Sequence, residues 1–90
     1  MKALSTVRAL SGVRRAWPGR DGSITFELAA PAGKLRAGRV NREGEVWITG
    51  YASDPELPEL TPGVAGRLVV HRFHRRAVVL TDDRAIKFTR

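Results

Sequence analysis

Apolar and polar residues alternate with a period of two along much of this chain, and that period predicts β-strands. Ser23–Ala30 is the cleanest case. Ile24, Phe26 and Leu28 fall on one face, while Thr25 and Glu27 fall on the other, which gives a half-buried strand. Pro31-Ala32-Gly33 reads as a short hairpin loop. Lys34–Asn41 resumes as a strand, but its alternation falters at Ala37-Gly38, where a β-bulge is expected. Arg42-Glu43-Gly44 is the next turn. Glu45–Tyr51 is a third strand, with Val46 and Ile48 on one face and Trp47, Thr49 and Tyr51 on the other. Large apolar groups on both faces mean that both are covered, or that one of them binds a partner.

The last third of the chain repeats this logic. Gly66–Arg90 reads as three short strands joined by two tight turns, one at Arg72-Phe73-His74-Arg75 and one at Asp82-Asp83. Leu68–Phe73 and Ala77–Thr81 are rich in β-branched and aromatic residues. In the final strand Ile86 and Phe88 share a face, and Ala85, Lys87 and Thr89 share the other. The N-terminus follows a different period. Leu4, Val7, Leu10 and Val13 stand three apart with Lys2, Arg8, Arg14 and Arg15 between them, which predicts an amphipathic helix with a basic back. Trp17-Pro18-Gly19 breaks it.

These elements make one small domain. It comprises an N-terminal helix over 1–16, a first β-meander over 23–51, a proline-rich acidic connector over 52–66 and a second β-meander over 67–90. The fold class is mostly β (α+β), with antiparallel strands near 24–29, 35–41, 45–51, 67–73, 76–81 and 84–89. The meanders form one curled sheet or a small barrel. In the connector, Asp54 followed by Pro55 suits the cap and first position of a short helical turn.

Composition narrows the picture. The apolar fraction of 42% suits a globular domain, and the absence of cysteine removes disulfides and thiolate chemistry. No apolar run reaches the roughly 18 residues of a membrane span, and the basic N-terminus makes a poor secretory signal. A cytoplasmic protein is the expectation. The net charge of +7 is unevenly spread, with two basic segments flanking an acidic connector that holds no lysine or arginine. That distribution fits either solubility with internal pairing between the oppositely charged blocks or a basic face for phosphate-bearing ligands.

Few residues suggest catalysis. His71 and His74 stand without cysteine or a carboxylate within two residues, so they do not compose a metal site. Asp82 and Asp83 are adjacent and point apart on a strand, unlike an acid–base pair. The basic and aromatic mixture is the remaining signal, of a kind that basic proteins also carry on ordinary sheet surfaces. Arg36, Arg39, Arg72, Arg75 and Arg76 lie on or beside strands with Trp47, Tyr51 and Phe73, the residue types with which small β-barrels bind single-stranded nucleic acid.

The stretch LVVHRFHRRAVVL, then TDD, then RAIKF also resembles the start of the nucleotide-binding lobe of aminoglycoside-phosphotransferase-like, protein-kinase-like enzymes of the actinobacterial type. Ala85-Ile86-Lys87 matches the last three letters of the V-A-I-K strand of that fold, with Arg84 in place of the valine. The resemblance implies a kinase-like N-lobe that binds ATP and Mg²⁺. Lys87 would contact phosphates, and Ala85 would line the adenine pocket. It implies a partner, the catalytic C-terminal lobe, without which this chain does not catalyse. Two further readings stand beside it: a small basic β-barrel module for nucleic acid, and a protein-interaction module that pairs, as a homodimer for example, through exposed sheet edges.

Overall fold

The computed structural model describes residues 2–29 and 33–90. Among these, one helix and seven strands are present: α1 (Lys2–Ala9), β1 (Val13–Pro18), β2 (Ile24–Ala29), β3 (Leu35–Val40), β4 (Val46–Ile48), β5 (Arg67–Arg72), β6 (Arg76–Leu80) and β7 (Ala85–Thr89). The fold is mostly β and antiparallel, as the period-two pattern predicts. The strands divide into two sheets, β1-β2-β3-β4 and β5-β6-β7, and do not close into one curled sheet or barrel.

The helix is shorter than its apolar spacing suggests. It ends at Ala9, and Gly12 takes a left-handed φ of 83° that turns the chain into β1. Val13–Pro18 is thus a strand where the sequence pattern predicted helix and breaker. Its exposure alternates residue by residue, the period-two signature that the threefold spacing of Leu10 and Val13 masks. Ala3 and Val7 pack from the helix onto Ile24, Phe26 and Val40, with Leu10, Val13 and Leu28 at the margin of that core.

The expected bulge at Ala37-Gly38 is absent, since β2 and β3 pair in continuous register from Ile24↔Val40 to Ala29↔Leu35. Gly38 serves another purpose. It lies opposite Phe26, and a Cβ there would stand 2.4 Å from the Phe26 ring. The missing side chain is the space into which a fully buried phenylalanine fits. The irregularities fall instead between Val13 and Arg15 in β1 and between Leu68 and Val70 in β5. The hairpin loop expected at Pro31-Ala32-Gly33 lies outside the described residues at Pro31 and Ala32.

A second core joins the connector to the second sheet. Leu57 and Leu60 are buried against Leu35, Leu68, Ala77 and Val79, with Tyr51, Val64 and Phe88 alongside. The prolines keep this segment in single turns: Leu57 N–H donates to the Asp54 carbonyl and Leu60 N–H to the Leu57 carbonyl, each at 3.0 Å. Asp54 does act as a cap, accepting Glu56 N–H at 3.0 Å, yet no helix follows.

Candidate nucleic-acid interface

Register alone brings four residues of the first sheet into line. Trp17 pairs with Thr25, Thr25 with Arg39, and Arg39 with Trp47. Directly opposed residues in antiparallel strands share a face. These four therefore form one row across β1, β2, β3 and β4, about 14 Å long at three interstrand spacings. A tryptophan stands at each end. The Arg39 guanidinium lies 5.9 Å from the Trp47 ring centre, and the Arg72 guanidinium, from the other sheet, lies 5.4 Å from that of Trp17. Both separations are cation–π contacts.

The neighbouring row on the same face explains how the second sheet is held there. Arg15 pairs with Glu27, a glutamate with no exposed surface. The sequence pattern placed Glu27 on an outer face, but β5 covers it. Glu27 accepts Arg15 Nε–H at 2.6 Å and the backbone N–H of His71 at 2.7 Å, while Arg15 Nη2 donates to the Val69 carbonyl at 2.6 Å. Val69 lies within the β5 irregularity, and Arg15 follows the β1 irregularity. The two bulges meet, and each re-aims a polar group toward the other. The ion pair takes the place of a neighbouring strand along the free edge of β5.

A second buried carboxylate fixes the turn between β5 and β6. The Asp54 side chain has no exposed surface and accepts the His71 ring Nε2–H at 2.9 Å and the backbone N–H of His74 at 2.7 Å. His71 is therefore the meeting point of both carboxylates, Glu27 at its backbone and Asp54 at its ring. His74 holds a left-handed φ of 57°, unusual for a residue other than glycine, and its ring stacks on Phe73 at 3.8 Å. Asp54 lies far from both histidines in sequence, so local spacing could not reveal the partnership. No group of metal-ligating side chains that could hold an ion is present among the described residues.

Pinned in this way, the β5–β6 turn overhangs the tryptophan row. Between them lies a cleft of about 820 Å³ lined by Trp17, Thr25, Arg39 and Trp47 below and by Arg72, Phe73, His74 and Arg75 above, with Arg20 and Arg90 at its margin. Five arginines face this space with one carboxylate, Asp21. Bonds from the Ser23 hydroxyl and amide, then the charge of Arg39, pull the Asp21 carboxyl down to about 2. It stays ionised and occupied by Ser23 and Arg39. At Arg72 the surroundings disfavour the charged form instead. Burial first, then the charges of Arg75 and Arg76, lower its pKa, and its Nε is buried without a partner.

Of the basic and aromatic residues singled out in the sequence, Arg39, Arg72, Arg75, Trp47 and Phe73 converge here. Arg36, Tyr51 and Arg76 do not line the cleft: Arg36 donates to the Thr49 carbonyl at 2.9 Å, and Tyr51 packs on the connector core beneath Lys34. Trp17, Arg20 and Arg90 escaped sequence reading, although the Val13–Arg15–Trp17 alternation was available as a signal. Lys87 and Ala85 are exposed. Lys87 borders a separate depression of about 220 Å³ with Leu57, Pro58, Glu59, Phe88 and Thr89. No family model, curated protein or solved structure matches this chain. No helix of the described residues is long and apolar enough to cross a membrane.

Proposed function

We propose that this protein binds single-stranded nucleic acid across its four-stranded sheet. Bases stack on Trp17 and Trp47, and the phosphates lie against Arg39, Arg72, Arg75 and Arg90. The observation that carries this reading is the Trp17–Thr25–Arg39–Trp47 row opening onto an arginine-rimmed cleft. Stacking platforms combined with a cationic groove bind single strands with little regard to sequence, because every base has a π-face. The side chains of the row offer few hydrogen-bonding groups to base edges, so low sequence specificity is part of the proposal.

Titration of a labelled oligothymidylate at several salt concentrations tests it. The log–log slope should be about −0.7 per phosphate engaged, hence roughly −2 to −3 for three or four arginines. Trp17→Ala and Trp47→Ala should each weaken binding by about 1–3 kcal/mol, some 5- to 150-fold, without altering that slope. No binding at micromolar protein, or a slope near one, would sink the reading.

A second proposal is the phosphotransferase lobe, with ATP on Lys87 and Ala85. Its support is that Lys87 is exposed and pairs with no carboxylate among the described residues, which leaves it free for a phosphate. Lys87→Ala should leave melting nearly unchanged, as exposed substitutions usually do. It should weaken Mg·ATP binding about 10- to 150-fold in a chain that includes the catalytic lobe. Equal ATP affinity in wild type and variant would remove this second reading.

A further inference from the structure

The two sheets have four edge strands among the described residues, β1, β4, β5 and β7. Three are guarded against pairing. The β1 edge carries a bulge, Arg14 and Pro18; the β5 edge is occupied by the Arg15–Glu27 pair; the β7 edge carries Lys87 between Arg84 and Arg90. The β4 edge, Val46-Trp47-Ile48, has no charge, proline or bulge, and its residues are 38%, 45% and 38% exposed.

We propose that this edge pairs with the β4 edge of a second copy of the chain, antiparallel, about a twofold axis at Trp47. Hydrogen bonding along β3 and β4 fixes which groups are free. Thr49 N–H donates to the Ala37 carbonyl at 2.8 Å and Asn41 N–H to the Glu45 carbonyl at 3.0 Å, so by alternation Trp47 turns its backbone groups toward β3. Val46 and Ile48 turn theirs outward. A twofold axis at Trp47 sets Val46 opposite the second copy's Ile48, twice, and closes four backbone hydrogen bonds. The two Trp47 residues then form a non-hydrogen-bonded pair, the arrangement that brings side chains closest and suits two aromatic rings.

Charge agrees with this register. Glu43 and Glu45 precede β4, whereas Arg36 is bonded to the Thr49 carbonyl and Lys34 lies 5.6 Å from the Tyr51 ring, both beside the segment that follows β4. The twofold axis carries the acidic end of each edge toward the basic end of the other. The occupant that fits is thus this chain itself. Where the nucleic-acid reading holds, the pairing has a consequence for the same site. The two tryptophan–arginine rows join into one track about 34 Å long at seven interstrand spacings. A three-residue edge buries far less than the roughly 1,200–2,000 Å² of a stable interface. The dimer is therefore weak alone, and a strand that spans both copies reinforces it.

Sedimentation equilibrium of the full chain, alone and with oligothymidylate of about twelve nucleotides, tests the proposal. At roughly 3.4 Å per nucleotide that length spans about 41 Å, enough to cover the joined track with about one nucleotide to spare at each end. Two variants accompany it. Ile48→Pro removes an outward N–H at an edge position where proline is tolerated. Ile48→Lys leaves the backbone intact and adds an edge charge. Both change the face opposite Trp47, so binding of a four-nucleotide oligothymidylate should be unaffected. Wild type should self-associate, more strongly with the long oligonucleotide, and both variants should weaken association at least about tenfold. A wild type that stays monomeric in both conditions overturns the proposal, as does a folded variant that associates like wild type. If wild type dimerises, the variants do not, and no oligonucleotide binds, the edge pairing stands and the nucleic-acid reading falls.

Discussion

Glu27→Ala should lower stability by about 3 kcal/mol, the lower end of the cost of breaking a buried ion pair, because the partner left behind, Arg15, is partly exposed. For a domain of this size that is a melting-point drop of more than about 10 °C. The reason lies in what the carboxylate joins. Glu27 bonds Arg15 within the first sheet and the His71 amide of the second, and Arg15 continues to the Val69 carbonyl. Without it the His71 N–H is buried and unpaired, a loss of about 1–3 kcal/mol by itself. Part of the Arg15 side chain is exposed, so water recovers some of the charge that the substitution strands. Glu27→Gln separates the two contributions. Its amide keeps one acceptor oxygen, which can hold either Arg15 or His71 but lacks the charge for both, so an intermediate loss is expected. Chemical denaturation of wild type and both variants measures the series. If Glu27→Ala melts with wild type, this pair is not what holds the sheets together.

The same residue illustrates what the sequence could and could not disclose. Alternation placed Ile24, Phe26 and Leu28 on one face correctly, because that face packs on α1 within the same half of the chain. It placed Glu27 outward, because nothing local signals that a strand 44 positions away will cover it. The second meander was legible almost to the residue, since its turns are short and its strands are rich in valine. β1 was not. The three-apart spacing of Leu4, Val7 and Leu10 runs on to Val13, so the helical pattern carries past the end of α1 into the strand, and the left-handed Gly12 between the two is what turns the chain. Gly38 looked like a bulge from its interrupted alternation, yet the interruption answers the Phe26 ring across the ladder, a tertiary cause. The cleft followed the same rule. Its arginines were visible as composition. The row that organises them depends on register across four strands, and its outer wall depends on a carboxylate in the connector.

That carboxylate supports the second large effect. Asp54→Ala should destabilise the fold by about 3 kcal/mol or more and also weaken oligonucleotide binding, although Asp54 does not line the cleft. The substitution leaves three donors without their acceptor: the His71 ring Nε2–H, the His74 amide and the Glu56 amide. Two of them belong to the second sheet and its β5–β6 turn, where a left-handed His74 persists because its surroundings over-determine it. Released from Asp54, the turn can relax toward ordinary backbone angles, and Arg72, His74 and Arg75 lose their fixed stance above the tryptophan row. Amide hydrogen exchange separates this from general destabilisation. In Asp54→Ala the His74 and Arg75 amides should exchange faster than the global unfolding equilibrium requires, while amides of β2 and β3 keep pace with it. Glu27→Ala, by contrast, should speed exchange in β5 while leaving the Asp54–His74 bond in place. If the turn amides of Asp54→Ala exchange only as fast as global unfolding allows, Asp54 contributes stability without shaping the cleft, and the weakened binding must then come from the unfolded fraction alone.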